Sequence, residues 1–188
     1  MFIQTEKTPN PQTLKFLPGK VVMDEGTAFY QNIDEAVDSP FARRLFALDG
    51  VEGVFFGSDF ITITKNDNYD WQVMKPSLLG GIIDHFNSED KTIEKDKIEV
   101  SNNSFNNNKN DSEIVKQIKE LLDTRVRPAV AMDGGDIIYN GFEDGVVYLQ
   151  MQGACSGCPS STATLKMGIE NMLKHYIPEV QEVKPVNA

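Results

Sequence analysis

Apolar residues recur along this chain at two spacings, and the switches between them mark its elements. Phe2–Thr5 and Leu14–Leu17 read as short strands separated by the proline-rich turn "TPNPQT". A helix begins after Ser39, a plausible N-cap, with Pro40 in its first turn and Phe41, Leu45 and Leu48 on one face. "VEGVFFGSDFITITKN" alternates with period two, which predicts strand, turn and strand with Ile61 and Ile63 opposite Thr62 and Thr64. Trp71–Phe86 returns to helical spacing, and Pro76 predicts that helical order starts nearer Lys75.

Further on, Ile114, Val115, Ile118, Leu121 and Leu122 form one stripe on a helix over Asp111–Thr124, capped by Asp111 or Ser112. Pro128 predicts that this helix ends at or before Arg127. A hairpin follows, Ile137–Tyr139 and Val146–Met151 around a turn at Gly141–Gly145. Ser160–Ile177 reads as the last helix, with Leu165, Ile169, Leu173 and Tyr176 as its stripe. The fold class expected is mixed α/β (α+β), with an α-β-β-α order in the second half.

Between these halves the apolar pattern stops. "KTIEKDKIEVSNNSFNNNKN", residues 91–110, is rich in charge and asparagine and predicts a flexible linker. Two small mixed domains follow, 1–90 and 111–188, each with a limited core. The net charge of −10 argues against nucleic-acid or anionic-membrane binding. No stretch approaches the roughly 20 apolar residues of a membrane-spanning helix. The start "MFIQTEKTPNPQ" has neither the apolar run of a signal peptide nor the Arg-rich character of a transit peptide. These features read as a cytoplasmic chain, or as a mature organellar one whose presequence is missing.

The chain's two cysteines, Cys155 and Cys158, lie in "QGACSGCPSSTATL", where the last hairpin strand gives way to the last helix. Unpaired N–H groups at a helix start stabilise thiolates and anionic centres, and Pro159 suits that first turn. Gly153 and Gly157 permit close backbone approach or unusual dihedrals around a bulky inorganic group. Three chemistries remain open on these residues: a thioredoxin-like dithiol, a zinc site, and a centre shared by two subunits. Zinc needs four ligands, and neither His85, on an apolar helix face, nor His175, roughly 24 Å of helix beyond Pro159, completes the set within one chain. Two chains about a two-fold axis would supply four thiolates, which suit [4Fe–4S], [2Fe–2S] or zinc.

In "RPAVAMDGGD", Gly134 and Gly135 are expected mainly to shape the turn into the hairpin, with approach to the cysteine loop as the lesser reading. Arg125 and Arg127 are expected on the solvated surface, and Asp133 and Asp136 offer too few oxygens for calcium.

Segments of both halves resemble the Nfu-type (NifU-like) iron–sulfur cluster scaffold and carrier proteins of the mitochondrial and α-proteobacterial branch. "MFIQTEKTPNPQTLKFLPGK", "SPFARRLF" and "VFFGSDFITITK" resemble their N-terminal domain, and Leu121–Val180 resembles their cluster-binding domain. The resemblance implies a non-enzymatic carrier in which Cys155 and Cys158, flanked by Gly153 and Gly157, hold a [4Fe–4S] cluster, with [2Fe–2S] as the variant, between the subunits of a homodimer. It also implies an upstream assembly scaffold as donor and, because the start "MFIQTEK" lacks the family's organellar presequence, a bacterial cytoplasmic location, with the mitochondrial matrix for a processed eukaryotic form. The recipients would be apo-proteins such as lipoyl synthase, aconitase-like enzymes or respiratory subunits. A zinc-bridged or cluster-free adaptor is the alternative from another class.

Overall fold

The computed structural model describes residues 1–88, 90–94, 111–157 and 159–186. The chain is α+β and divides into two compact units, Met1–Ser101 and Asn102–Ala188. Most of the expected linker, residues 95–110, lies outside the described residues. At its start, the Ser39 hydroxyl donates to the Thr92 carbonyl at 2.6 Å, and Glu94 N–H donates to Asp38 O at 2.9 Å.

The first unit is a five-stranded antiparallel sheet in the order β1-β2-β5-β4-β3. Its strands are β1 (Gln4–Lys7), β2 (Thr13–Leu17), β3 (Ala28–Tyr30), β4 (Val51–Phe56) and β5 (Ile61–Lys65). Helices α1 (Pro40–Phe46) and α2 (Trp71–Asn87) add Phe41, Leu45, Leu78 and Ile82 to the sheet residues Phe16, Val54, Phe56, Ile61 and Ile63 in one core. Ser39 caps α1 by accepting from Ala42 N–H, as its place before Pro40 predicts. Helix α2 starts at Trp71, earlier than Pro76 suggested: Asp70 accepts from Gln72 N–H, and the helix carries Pro76 within it.

The second unit pairs β6 (Gly135–Glu143) antiparallel with β7 (Val146–Gly153), and β7 parallel with β8 (Glu182–Val186). Helices α3 (Glu113–Leu121), α4 (Arg127–Met132) and α5 (Pro159–Tyr176) are its helical part. Ile118, Leu122, Val130, Ile137, Leu149, Ile169, Leu173 and Val183 belong to one buried cluster. The hairpin turn is tighter than expected, two residues at Asp144 (φ 49°) and Gly145 (φ 79°), the backbone signature that Asp-Gly supplies. Strand β8 follows α5, so the cysteine loop lies before the last helix but not after the last strand. Tyr176 is half exposed, and Ile177 takes the buried place at that end.

The helix does not stop at Pro128. Leu122–Val126 winds as a π-helix, Arg127 N–H reaches back to Leu122 O, and α4 continues through the proline. Proline has no N–H to give and crowds the preceding turn, so a local widening absorbs it where a break was expected.

Candidate functional site

Strand β7 ends at Gly153, and the chain turns through Ala154, Cys155, Ser156 and Gly157 before α5. Backbone and hydroxyl groups pin this turn. Ala154 N–H donates to Gly134 O at 3.1 Å, Ser156 N–H and Oγ both donate to Gly153 O, and Thr162 Oγ1 donates to Cys155 O at 3.0 Å. Gly153 (φ 64°) and Gly157 (φ 79°) take left-handed backbone, which glycine adopts without strain. An added Cβ at Gly157 would meet open space, so conformation and not crowding sets the residue there. Cys158 lies outside the described residues.

Cys155 is 6% exposed and belongs to the apolar cluster of this unit. Burial first, then the Asp133 and Asp136 carboxylates, push its thiol up to about 12, so it is protonated at neutral pH. The helix start alone had suggested the opposite, a stabilised thiolate. Desolvation outweighs it here.

The opposing wall is Gly135, directly across the ladder from Gly153. A Cβ at Gly135 would stand 2.5 Å from Gln152 O and 2.7 Å from Cys155 Sγ. Gly134 shapes the turn with φ 84° as expected, but Gly135 is there for close approach to the cysteine loop, which corrects the reading of both as turn formers.

Next along β6, Asp136 is 4% exposed. Arg127 grips it with two parallel hydrogen bonds, Nε to Oδ1 and Nη2 to Oδ2, both 2.9 Å, and its Nη1 reaches Asp123 at 3.0 Å. Burial opposes the charge on Arg127, and the two carboxylates outweigh it and raise its pKa. Arg127 is thus no solvated surface residue, whereas Arg125 lies over the Tyr176 ring at 5.2 Å. Beside this pair Gln152, opposite Asp136 in the ladder, keeps a buried Oε1 without a hydrogen-bond partner.

The histidines stand apart from this site. His175 is exposed near the end of α5, edge-on to Tyr176. His85 is 2% exposed in the first unit, stacked on Phe41 at 3.7 Å, with Nε2 near Thr92 and a buried Nδ1 that has no partner. Burial and then Arg44 lower its pKa to about 4, against the opposing pull of Asp90. The folded value lies below the ordinary one, so the neutral ring's contribution is complete above pH 6.5 and is lost as pH falls towards 4. NMR of the His85 ring should show it neutral down to about pH 5. A midpoint near 6.5 would contradict the buried, stacked placement. Among the described residues no group of three or more His, Cys, Asp or Glu side chains gathers to hold a metal.

Two families match the two units: residues 3–89 match "Scaffold protein Nfu/NifU N terminal", and residues 118–184 match "NifU-like domain". The chain is 52% identical over 186 residues to NifU-like protein 4, mitochondrial, of Arabidopsis thaliana, covering 98% of this chain and 65% of that protein. It is 51% identical over 187 residues to the human NFU1 iron-sulfur cluster scaffold homolog, mitochondrial, covering 99% of this chain and 72% of that one. The solution structure of a NifU-like protein from Saccharomyces cerevisiae aligns with a TM-score of 0.46 at 28% identity, over 50% of this chain and 86% of that one. The chain belongs to the Nfu/NifU-like scaffold family. These relatives correct the expected bacterial cytoplasmic location, because proteins matching this chain almost end to end are named as mitochondrial. That expectation leaned on where the sequence begins, which carries no information about what precedes it.

Proposed function

We propose that this chain carries iron–sulfur clusters: Cys155 and Cys158 of two copies hold one [4Fe–4S] cluster as cargo and release it to apo-proteins. The observation that carries the reading is the supply of thiols. The chain has two cysteines, with two residues between them in the sequence that follows β7, while His85 is spent in the core of the other unit. Four thiolates are the usual ligand set of such clusters, so a shared centre uses two chains. Membership in the family and the human relative's name, an iron-sulfur cluster scaffold homolog, support it. Thiols release their protons on metal binding, and incoming iron would displace the proton that Cys155 retains in its buried place. Burial pushes the Cys155 thiol up, the opposite of the depression that a nucleophilic redox thiol uses.

With two ligands per chain, a recipient's own thiolates can replace one pair at a time. Transfer from the loaded dimer should therefore slow at least tenfold, roughly 1.4 kcal/mol, when the recipient's ligand cysteines are changed to serine. Appearance of the cluster spectrum in the recipient measures this. An unchanged rate would mean that the cluster falls off before capture.

A further inference from the structure

We propose that Arg127 is a positioning residue for the cysteine loop: its fork on Asp136 holds the start of β6 so that Gly135 closes over Cys155. The inference rests on the carrier reading for its purpose, but its geometry stands apart from it.

The start of β6 is held on both sides of Gly135. On one side Gly134 O accepts from Ala154 N–H. On the other, the Asp136 carboxylate accepts both arms of Arg127, and its Oδ1 also accepts from Ile137 N–H at 2.8 Å. The carboxylate is almost wholly buried, and a buried carboxylate keeps its place only when its oxygens are satisfied. Two parallel hydrogen bonds fix direction as well as distance, which a single point charge does not. The backbone between these anchors leaves no room for a Cβ against Cys155 Sγ and Gln152 O. Without the fork, Asp136 would turn towards water and draw Gly135 off the sulfur.

The Arg127 side chain owes its position to the π-turn. Pro128 forces the helix to widen over Leu122–Val126 and then resume, which sets Arg127 between Asp123 and Asp136. Proline, π-turn, arginine, buried carboxylate and glycine thus form one mechanical chain ending at the sulfur. Loosening it would expose the thiol and weaken the hold on cargo.

The test reads Cys155 directly in the cluster-free full-length chain, in a Cys158→Ser background, by its rate of reaction with iodoacetamide under native conditions. Arg127→Gln should speed labelling at least tenfold, and Arg127→Lys, which keeps charge but loses the fork, should fall between. Adding Asp136→Asn to Arg127→Gln should bring the rate back towards the parent, because the stranded charge is gone. A rate for Arg127→Gln within twofold of the parent overturns the proposal, as does a double variant as fast as the single one. If circular dichroism shows that Arg127→Gln has lost its fold, Arg127→Lys decides: acceleration supports the clamp and a parental rate overturns it. Because labelling needs no cluster, failure here is distinct from failure of the carrier reading, which shows as absence of iron in the parent chain.

Discussion

Gly135→Val should destabilise the second unit by about 3 kcal/mol and strip it of most of its capacity to hold a cluster. Dihedral strain is not the cause, for Gly135 is not among the residues with positive φ. Contact is the cause: the added carbon would fall 2.5 Å from a backbone carbonyl, 2.7 Å from Cys155 Sγ and 3.2 Å from Cys155 N. A flexible side chain could swing aside, but Gln152 O belongs to β7 and moves only with the strand. The strain must therefore open the β6–β7 ladder at the end where the cysteine turn begins. Hydrogen exchange of the Ile137 and Met151 amides reads this within the second unit alone. Exchange as slow as in the parent would show that the wall is softer than its contacts imply.

Cys155→Ser should remove bound iron altogether while leaving the fold in place. A serine hydroxyl has nearly the shape of the thiol but is a poor ligand for iron at neutral pH. The shared centre would lose two of its four thiolates at once, one from each chain. The structural cost is modest, since a hydroxyl in the apolar cluster around Cys155 costs about 1–2 kcal/mol when it lacks a partner. A thermal scan checks that the variant folds, and iron analysis after anaerobic reconstitution checks the loss. Retention of half the parent's iron would mean that Cys155 is not a ligand.

Local signals made much of this molecule legible. Ser39 before Pro40, the alternation of Ile61 and Ile63 with threonine, and the stripe of Ile169 and Leu173 each predicted an element that is present. Two short edge strands, β3 and β8, were not legible. Strand β3 has three residues, too few for a period, and β8 carries Pro185, which only an edge position tolerates. The π-turn was missed because a proline usually marks a stop, and nothing local says that a helix will widen past it. The cysteine spacing pointed to the site, while its walls depend on contacts between distant residues. Gly135 meets a sulfur twenty positions away, and Arg127 meets Asp136 only because α4 turns back into β6. The burial of Cys155 is likewise tertiary, and it reverses the thiolate that its place before a helix suggested.

The measurement that tests the central claim most directly is native mass spectrometry of the chain after anaerobic reconstitution with iron and sulfide, beside iron and acid-labile sulfide analysis. The account predicts a dimer of the 21.0 kDa chain carrying four irons and four sulfides, absent from a Cys155→Ser/Cys158→Ser control. An iron-free monomer, or a dimer joined by zinc without sulfide, would contradict it.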